Sequence, residues 1–305
     1  MKSAARLAGV VCCACCARAA LGQELEPRAY SPAPTGVNFM LFAGVRSTGE
    51  VLTDPSLPVE NVEATIDAGA LAYGRTFAVA GHSASLALAV PYVWADLTGD
   101  VGEERQSVSR VGVADTKLRL AVNLLGGAAM TPKEFAKRTP QTTLGASLSI
   151  VSPTGEYFPD KLINIGTNRW AFKPEVGLSI PHNRWMFDAY AGVWLFTDNS
   201  DFYGGVRREQ DPMPTLQAHV SYTFRPGLWI AFDSTYYFDG ETTVNGVPKN
   251  DRKDNSRAGL TLSLPMARWH ALKFSWSEGA STRTGNDFST FGIAYQYTWF
   301  DKPKP

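Results

Sequence analysis

Along most of the chain apolar side chains recur at every second position with small or polar residues between them, which is the period of a strand and not of a helix. At the C-terminal end Phe291, Ile293, Tyr295, Tyr297 and Trp299 share one face of a predicted strand, while Gly292, Ala294, Gln296 and Thr298 share the other. Trp170, Phe172, Val176, Leu178 and Ile180 stand opposite Lys173, Glu175, Gly177 and Ser179 in the same way. Leu216, Ala218, Val220, Tyr222 and Phe224 oppose Gln217, His219, Ser221 and Thr223. Shorter runs repeat the theme, with Leu144, Ala146, Leu148 and Ile150 against Gly145, Ser147 and Ser149, and Leu260, Leu262 and Leu264 against Gly259, Thr261 and Ser263. A soluble β-sandwich also alternates, but its strands run to about five or six residues. These run to roughly ten or more, the length a tilted strand needs to cross a bilayer. Aromatic residues near segment ends, Tyr92, Trp94, Trp170, Trp185, Trp229, Trp269 and Trp299, suit the girdles at the two membrane interfaces.

The connections alternate in length, as the short turns and long loops of an outer-membrane barrel do. Short turns are predicted near Gly81, His182 to Arg184, Pro226 with Gly227, and Met266 to Arg268. Long polar stretches fall near Arg46 to Asn61, Leu97 to Ser107, Gly155 to Thr167, Asn199 to Asp211, Gly240 to Asp254 and Thr282 to Asp287. One long connection, Gly126 to Pro140, stands where a short turn belongs, and there Thr131, Pro132 and Glu134 form a capping-box pattern that opens a short helix. The pattern predicts an all-β fold, a transmembrane antiparallel up-and-down β-barrel of about 12 strands of the outer-membrane type, over residues 37–300. A C-terminal tail occupies 301–305, and a Pro-rich periplasmic N-terminal segment occupies 23–36, with residues Glu24 to Thr35 free either to line the barrel mouth or to enter the lumen.

The N-terminus reads as a cleaved secretory signal over residues 1–22, with Lys2 and Arg6 before the apolar run Leu7 to Ala17 and small residues at Ala20 and Gly22. All 4 cysteines, Cys12, Cys13, Cys15 and Cys16, lie in that leader, and their adjacent spacing does not suit zinc. No metal site and no cofactor is expected. Loss of Lys2, Arg6 and Arg18 turns a formal net charge of +0, from 29 basic and 29 acidic residues, slightly negative, so no nucleic-acid partner is indicated.

Several longer sequences carry a resemblance: LEPRAY (Leu25 to Tyr30), DPSLP (Asp54 to Pro58), DKLINIGTNRW (Asp160 to Trp170), FKPE (Phe172 to Glu175), FTDN (Phe196 to Asn199) and RPGLW (Arg225 to Trp229). Together they resemble the family named Putative MetA-pathway of phenol degradation, over nearly the whole mature chain. The resemblance implies an outer-membrane barrel associated with uptake of organic, often aromatic, compounds; it does not single out phenol.

A Lys or Arg facing lipid at the midplane costs about 2 to 4 kcal/mol, so charged residues opposite the apolar set must face inward. By this rule Asp115, Lys117, Arg119, Lys173, Glu175, Asp188, His219, Asp233, Arg257 and Lys273 are the candidate pore-lining residues. They describe either a mixed-charge channel or a salt-bridged lumen that packs the barrel shut. Tyr157, Phe158, Phe202 and Tyr203 fall in long loops, where they either collect an aromatic solute or pack beneath their own loops. No catalytic residues are expected: His82, His182 and His270 fall at turns, His219 faces inward, and no nucleophile stands beside any of them in the pattern. The expected function is passive uptake of small organic compounds, possible aromatic or hydrophobic ones included, with a structural or surface-interaction barrel as the alternative. The expected partners are outer-membrane lipid, a small-molecule solute, and the barrel-assembly machinery reading the C-terminal strand.

Overall fold

The computed structural model describes residues 25–52, 59–101 and 103–301. The leader with its cysteines, the DPSLP sequence and tail residues 302–305 lie outside the described residues. The elements follow in the order β1 (Val37–Leu52), β2 (Val59–Val79), β3 (His82–Val101), β4 (Glu104–Val113), β5 (Thr116–Leu125), α1 (Pro132–Phe135), β6 (Thr143–Ser152), β7 (Ala171–His182) and β8 (Trp185–Phe196). They continue as β9 (Asn199–Phe202), β10 (Val206–Gln210), β11 (Met213–Arg225), β12 (Leu228–Asp239), β13 (Thr242–Val244), β14 (Val247–Pro248), β15 (Lys253–Ala267), β16 (His270–Ser281) and β17 (Gly285–Phe300).

The main sheet closes on itself. β1 pairs with β2 on one side and with β17 on the other, in register from Val37 opposite Phe300 to Leu52 opposite Gly285. β4 and β5 are two halves of one crossing: β4 lies along the far half of β3 and β5 along the near half. The break falls at Ala114 and Asp115, beside Pro91 of β3, whose carbonyl accepts from the Ala114 amide at 2.9 Å. Proline has no amide to return, so the ladder lapses there. Counted as one, the two halves make a closed barrel of twelve antiparallel strands. Closure leaves no free edge around the body of the barrel, which is what an apolar solvent demands of a sheet, and β4, which among the described residues is paired on one side only, belongs to the part that projects beyond it.

One end of the barrel carries tight turns. At Ala80 and Gly81 both residues have positive φ, 48° and 81°, the hairpin geometry whose twist matches the flanking strands. The longer connection after β5 forms the capped helix α1, where Thr131 accepts from the Glu134 amide and the Glu134 carboxylate accepts from the Thr131 amide at 2.8 Å. It lies on the rim, with its approach bonded to Gly81 and Ser83.

The other end carries the long connections. Two of them, after β8 and after β12, combine as a small four-stranded antiparallel sheet in the order β14-β13-β10-β9. The stretches Arg46–Asn61 and Leu97–Ser107, expected as loops, are largely strand: β1 through β4 continue past the rest of the barrel. Their outward faces are polar, with Arg46 on Asp67 at 2.7 Å and Arg105 on Glu63 and Asp100 at 3.2 Å. Their inward faces are apolar, which inverts the polarity of a lipid-crossing strand and disguises it in the sequence.

Around the body of the barrel the outward positions form a continuous apolar belt, with Leu71, Leu88, Leu120, Val176, Leu216, Phe232, Leu260 and Ile293 all exposed. A belt of this extent belongs in lipid. Trp94, Trp170 and Trp185 are exposed near strand ends as girdle residues should be. Trp229 corrects the pattern: Ile230 and Phe232 take the outward face of β12, so Trp229 turns inward and is 1% exposed.

The belt sets a depth-dependent penalty. Phe232→Arg, at the middle of β12, should cost about 2 to 4 kcal/mol, and Thr65→Arg on the projecting part of β2 less than about 1 kcal/mol. Urea unfolding in lipid vesicles measures both, and equal costs would place the belt at the wrong height.

Candidate functional site

The inward faces divide the barrel interior into two unlike halves. Around β1 to β3 and β17 they are largely apolar, gathered in one cluster of Phe39, Leu41, Ala72, Ala87, Ala89 and Ala294 and a second of Ala64, Ile66, Val93, Ala95, Ala114 and Phe288, with a few hydroxyls such as Ser47 and Thr290 among them. On β5 through β15 they are charged or hydroxylated, and almost all are buried: Lys117 is 2% exposed, Arg119 3%, His219 1% and Asp233 0%. Buried charge is tolerated only where partners meet it.

Partners for Lys117, Arg119, Glu175 and Asp188 come from the segment before β1, and the wall itself supplies the rest. Residues 25–33 run inside the barrel, so of the two courses open to this stretch it takes the inward one. Arg28 sits in the left-handed region at φ 64°, closing a turn in which its carbonyl accepts from the Ser31 amide at 3.1 Å. That conformation costs a non-glycine residue roughly 1 kcal/mol. Its side chain and backbone offset it: the amide donates to Asp188 at 3.2 Å, the guanidinium donates to Ser221 at 2.8 Å and Thr223 at 2.7 Å, and the same group lies 4.7 Å over the Trp229 ring. The Ala29 amide donates to the Tyr190 hydroxyl at 3.0 Å.

Tyr30 is the wedge of this segment. Its hydroxyl donates to Glu175 at 2.9 Å and lies 2.8 Å from the Ser147 hydroxyl. Its ring meets Tyr190 edge-on at 5.0 Å and carries the Arg119 guanidinium at 5.2 Å on one side. The ring lies against Gly145 and Gly177, where a Cβ would come within 2.3 and 2.2 Å of it, so only glycine leaves room. Glu175 is bound in turn by Lys173 at 2.6 Å and by the Gln217 amide at 3.1 Å. Glu26 stands about as far from Lys117, 4.0 Å, as from Arg119, 3.9 Å, and Lys117 and Lys173 flank the Trp194 ring.

The remaining predicted residues are placed as follows. Asp188 accepts from Ser179 and from Arg28. His219 Nδ1 is 2.8 Å from Asp233, whose other oxygen accepts from Thr261 at 2.6 Å, and His219 Nε2 has no partner among the described residues. This is an oriented acid–base pair whose one hydroxyl contact, Thr261, is made by the carboxylate, and no hydroxyl among the described residues bonds the free imidazole nitrogen. Arg257 turns toward β17 and donates to the Phe288 carbonyl at 2.6 Å. Lys273 lies 5.5 Å over Trp229 near the short-turn end. Asp115 stands apart: at the break between β4 and β5 it accepts from the Gly155 amide and from the amide and hydroxyl of Thr167, and so anchors the long loop. Among the described residues no group of three or more potential metal ligands occurs.

At the long-loop end Arg169 lies 4.3 Å over Phe196 and donates to Gln210, while Arg208 lies 5.2 Å over Phe202. Burial lowers the Arg169 guanidinium to about 9, and the nearby Arg208 cation pushes the same way. Of the loop aromatics, Tyr157 is held by the Asp201 carbonyl and Asn199, Phe158 lies beneath Lys161, and Tyr203 lines a cavity. Arg28, Tyr30, Tyr190 and Trp194 carry no periodic signal that marks them. The one clue is the pair Gly145 and Gly177, empty inward positions on neighbouring strands.

The family model described as Putative MetA-pathway of phenol degradation matches residues 46–297. No curated protein sequence matches the chain. Among solved structures, an outer membrane channel from Pseudomonas putida F1 superposes with a TM-score of 0.77 at 20% identity, covering 90% of this chain and 100% of that one. The β domain of the Bordetella autotransporter BrkA gives 0.51 at 13% identity, covering 87% and 100%. These likenesses are ones of fold: a transmembrane barrel of the outer-membrane type.

The Tyr30 wedge can be tested. Gly177→Val should overpack the ring by about 1 to 3 kcal/mol, and a cysteine placed at Ala29 should then react with a water-soluble maleimide roughly tenfold faster than in the parent barrel. Unchanged reactivity would mean that other contacts hold the segment.

Proposed function

The chain belongs to the family described as Putative MetA-pathway of phenol degradation, and on that premise we propose that it is an outer-membrane channel for passive uptake of small organic compounds. In this reading the short turns and both chain ends face the periplasm and the long connections face outward. The leader directs export and is removed, and β17, ending in Trp299 and Phe300, is what the assembly machinery recognises. No catalytic role is assigned to any residue.

One observation carries the proposal. Residues 25–33 form a single length of chain inside the lumen, bonded to a polar wall whose own side chains also pair with one another, as Lys173 with Glu175 and His219 with Asp233. Such a segment can leave without unfolding a strand, and the wall it exposes is hydrophilic. Lys117, Arg119, Lys173, Glu175, Asp188, His219 and Asp233 then line the passage, with Arg257 toward the outside and Lys273 toward the periplasm. The mixture of signs suits uncharged and amphipathic solutes. Asp115 contributes by holding the loop and not by facing the solute.

A structural barrel is favoured instead by the closeness of Tyr30 to Gly145 and Gly177. Conductance in planar bilayers separates the two readings. The parent protein should show small, flickering openings, removal of residues 25–33 should enlarge them several-fold, and Lys117→Glu with Lys173→Glu should shift ion preference toward cations. Silence from both parent and truncated protein would establish the structural reading.

A further inference from the structure

The part of the barrel that projects past the lipid belt contains a cavity of about 450 Å³. Its wall is the inward face of β1 to β4, with Val51, Val62, Leu97 and Val108, and its cover is the loop after β6, with Leu162 and Ile163. Beneath it lies the packed cluster of Ile66, Val93 and Phe288. The same strands turn the Arg46–Asp67 and Arg105–Glu63 ion pairs outward. They therefore place apolar surface inside and charge outside, at a height where no lipid requires it. Apolar surface facing an aqueous mouth is disfavoured until something apolar covers it.

Among the polar residues of this lining, Arg110 is the one held in place by its neighbours with a donor to spare. Arg110 is fixed by donating from Nε to the Ile163 carbonyl at 2.8 Å and from Nη1 to the Ser109 carbonyl at 2.9 Å. Both bonds tie it to the cavity's cover and wall, and its Nη2 has no hydrogen-bond partner among the described residues. Asp160 and Lys161 also border the cavity, with Lys161 drawn onto the Phe158 ring at 4.0 Å. Asp160 opposes a second negative charge, which disfavours an anion.

We propose that this cavity binds an uncharged, largely apolar organic molecule bearing one oxygen acceptor, with the apolar body against Val62, Leu97 and Leu162 and the oxygen on Arg110 Nη2. The volume lies within the range of pockets that enclose small ligands, about 300 to 1,000 Å³. The site deepens the uptake reading by naming a solute class and a first docking point, but occupancy needs neither an open lumen nor transport.

Equilibrium dialysis of 1-naphthol and naphthalene against the protein in lipid nanodiscs, with empty nanodiscs subtracted, tests this. The parent protein should bind one naphthol and prefer it to naphthalene by about tenfold, as a hydrogen bond to a charged donor allows. Arg110→Leu should erase the preference while keeping naphthalene binding. Val62→Trp, which fills the cavity, should abolish both, with folding checked by heat-dependent gel mobility. No binding by the folded parent, or equal binding by the folded Val62→Trp protein, overturns the site. Binding that emerges only when residues 53–58 are replaced by glycine and serine also overturns it, making the chain's own connection the occupant. Conductance without naphthol binding sinks this site alone, whereas naphthol binding by a barrel that never conducts sinks the channel reading alone.

Discussion

The structure depends on the pairing of its first strand with its last. β1 and β17 run in register over their whole lengths, and this pairing turns an open sheet into a closed wall. Around the lipid-facing body the backbone groups then find their partners within the wall. Once the wall is closed, each side chain has two destinations only, and the alternation along the chain sorts lipid-facing Leu216 and Phe232 from lumen-facing Gln217 and Asp233.

Closure creates a second problem, which the chain solves with its own N-terminal residues. Lysines, arginines and carboxylates shut inside a narrow wall need counter-charges and donors. Glu26, Arg28 and Tyr30 supply them from within, while Lys173 and Glu175 satisfy each other. The interior is thus a network in which wall and segment complete one another, and the largely apolar faces of β1 to β3 close the opposite side with few polar contacts, such as Ser47 on Thr290.

Period-two alternation made the lipid-crossing body legible from sequence, since a belt of Leu, Val and Phe opposite small and polar residues admits one orientation. The inward position of the charged residues followed from the same rule. The capping pattern at Thr131 and Glu134 read correctly because a cap is a local matter. Three features were hidden for physical reasons. The projecting strands turn polar faces outward, as at Arg46 and Asp67, and so resemble loops. Trp229 has the composition of a girdle residue but the parity of a lumen residue. The turn at Arg28 has no periodicity at all, since it is specified by contacts with β8 and β11 some 160 to 195 positions away.

The lumen-filling segment and the seam strand are one uninterrupted stretch, residues 25–52, drawn from the end of the chain that leaves the ribosome first. Its partner strand, β17, is the last of the described strands to be made. The two cannot meet until every strand between them exists, so the molecule carries its most distant contact at its most critical joint, a topology that slows folding. The opening residues must therefore stay unspent until β17 arrives. Joining the ends and filling the middle then become a single event.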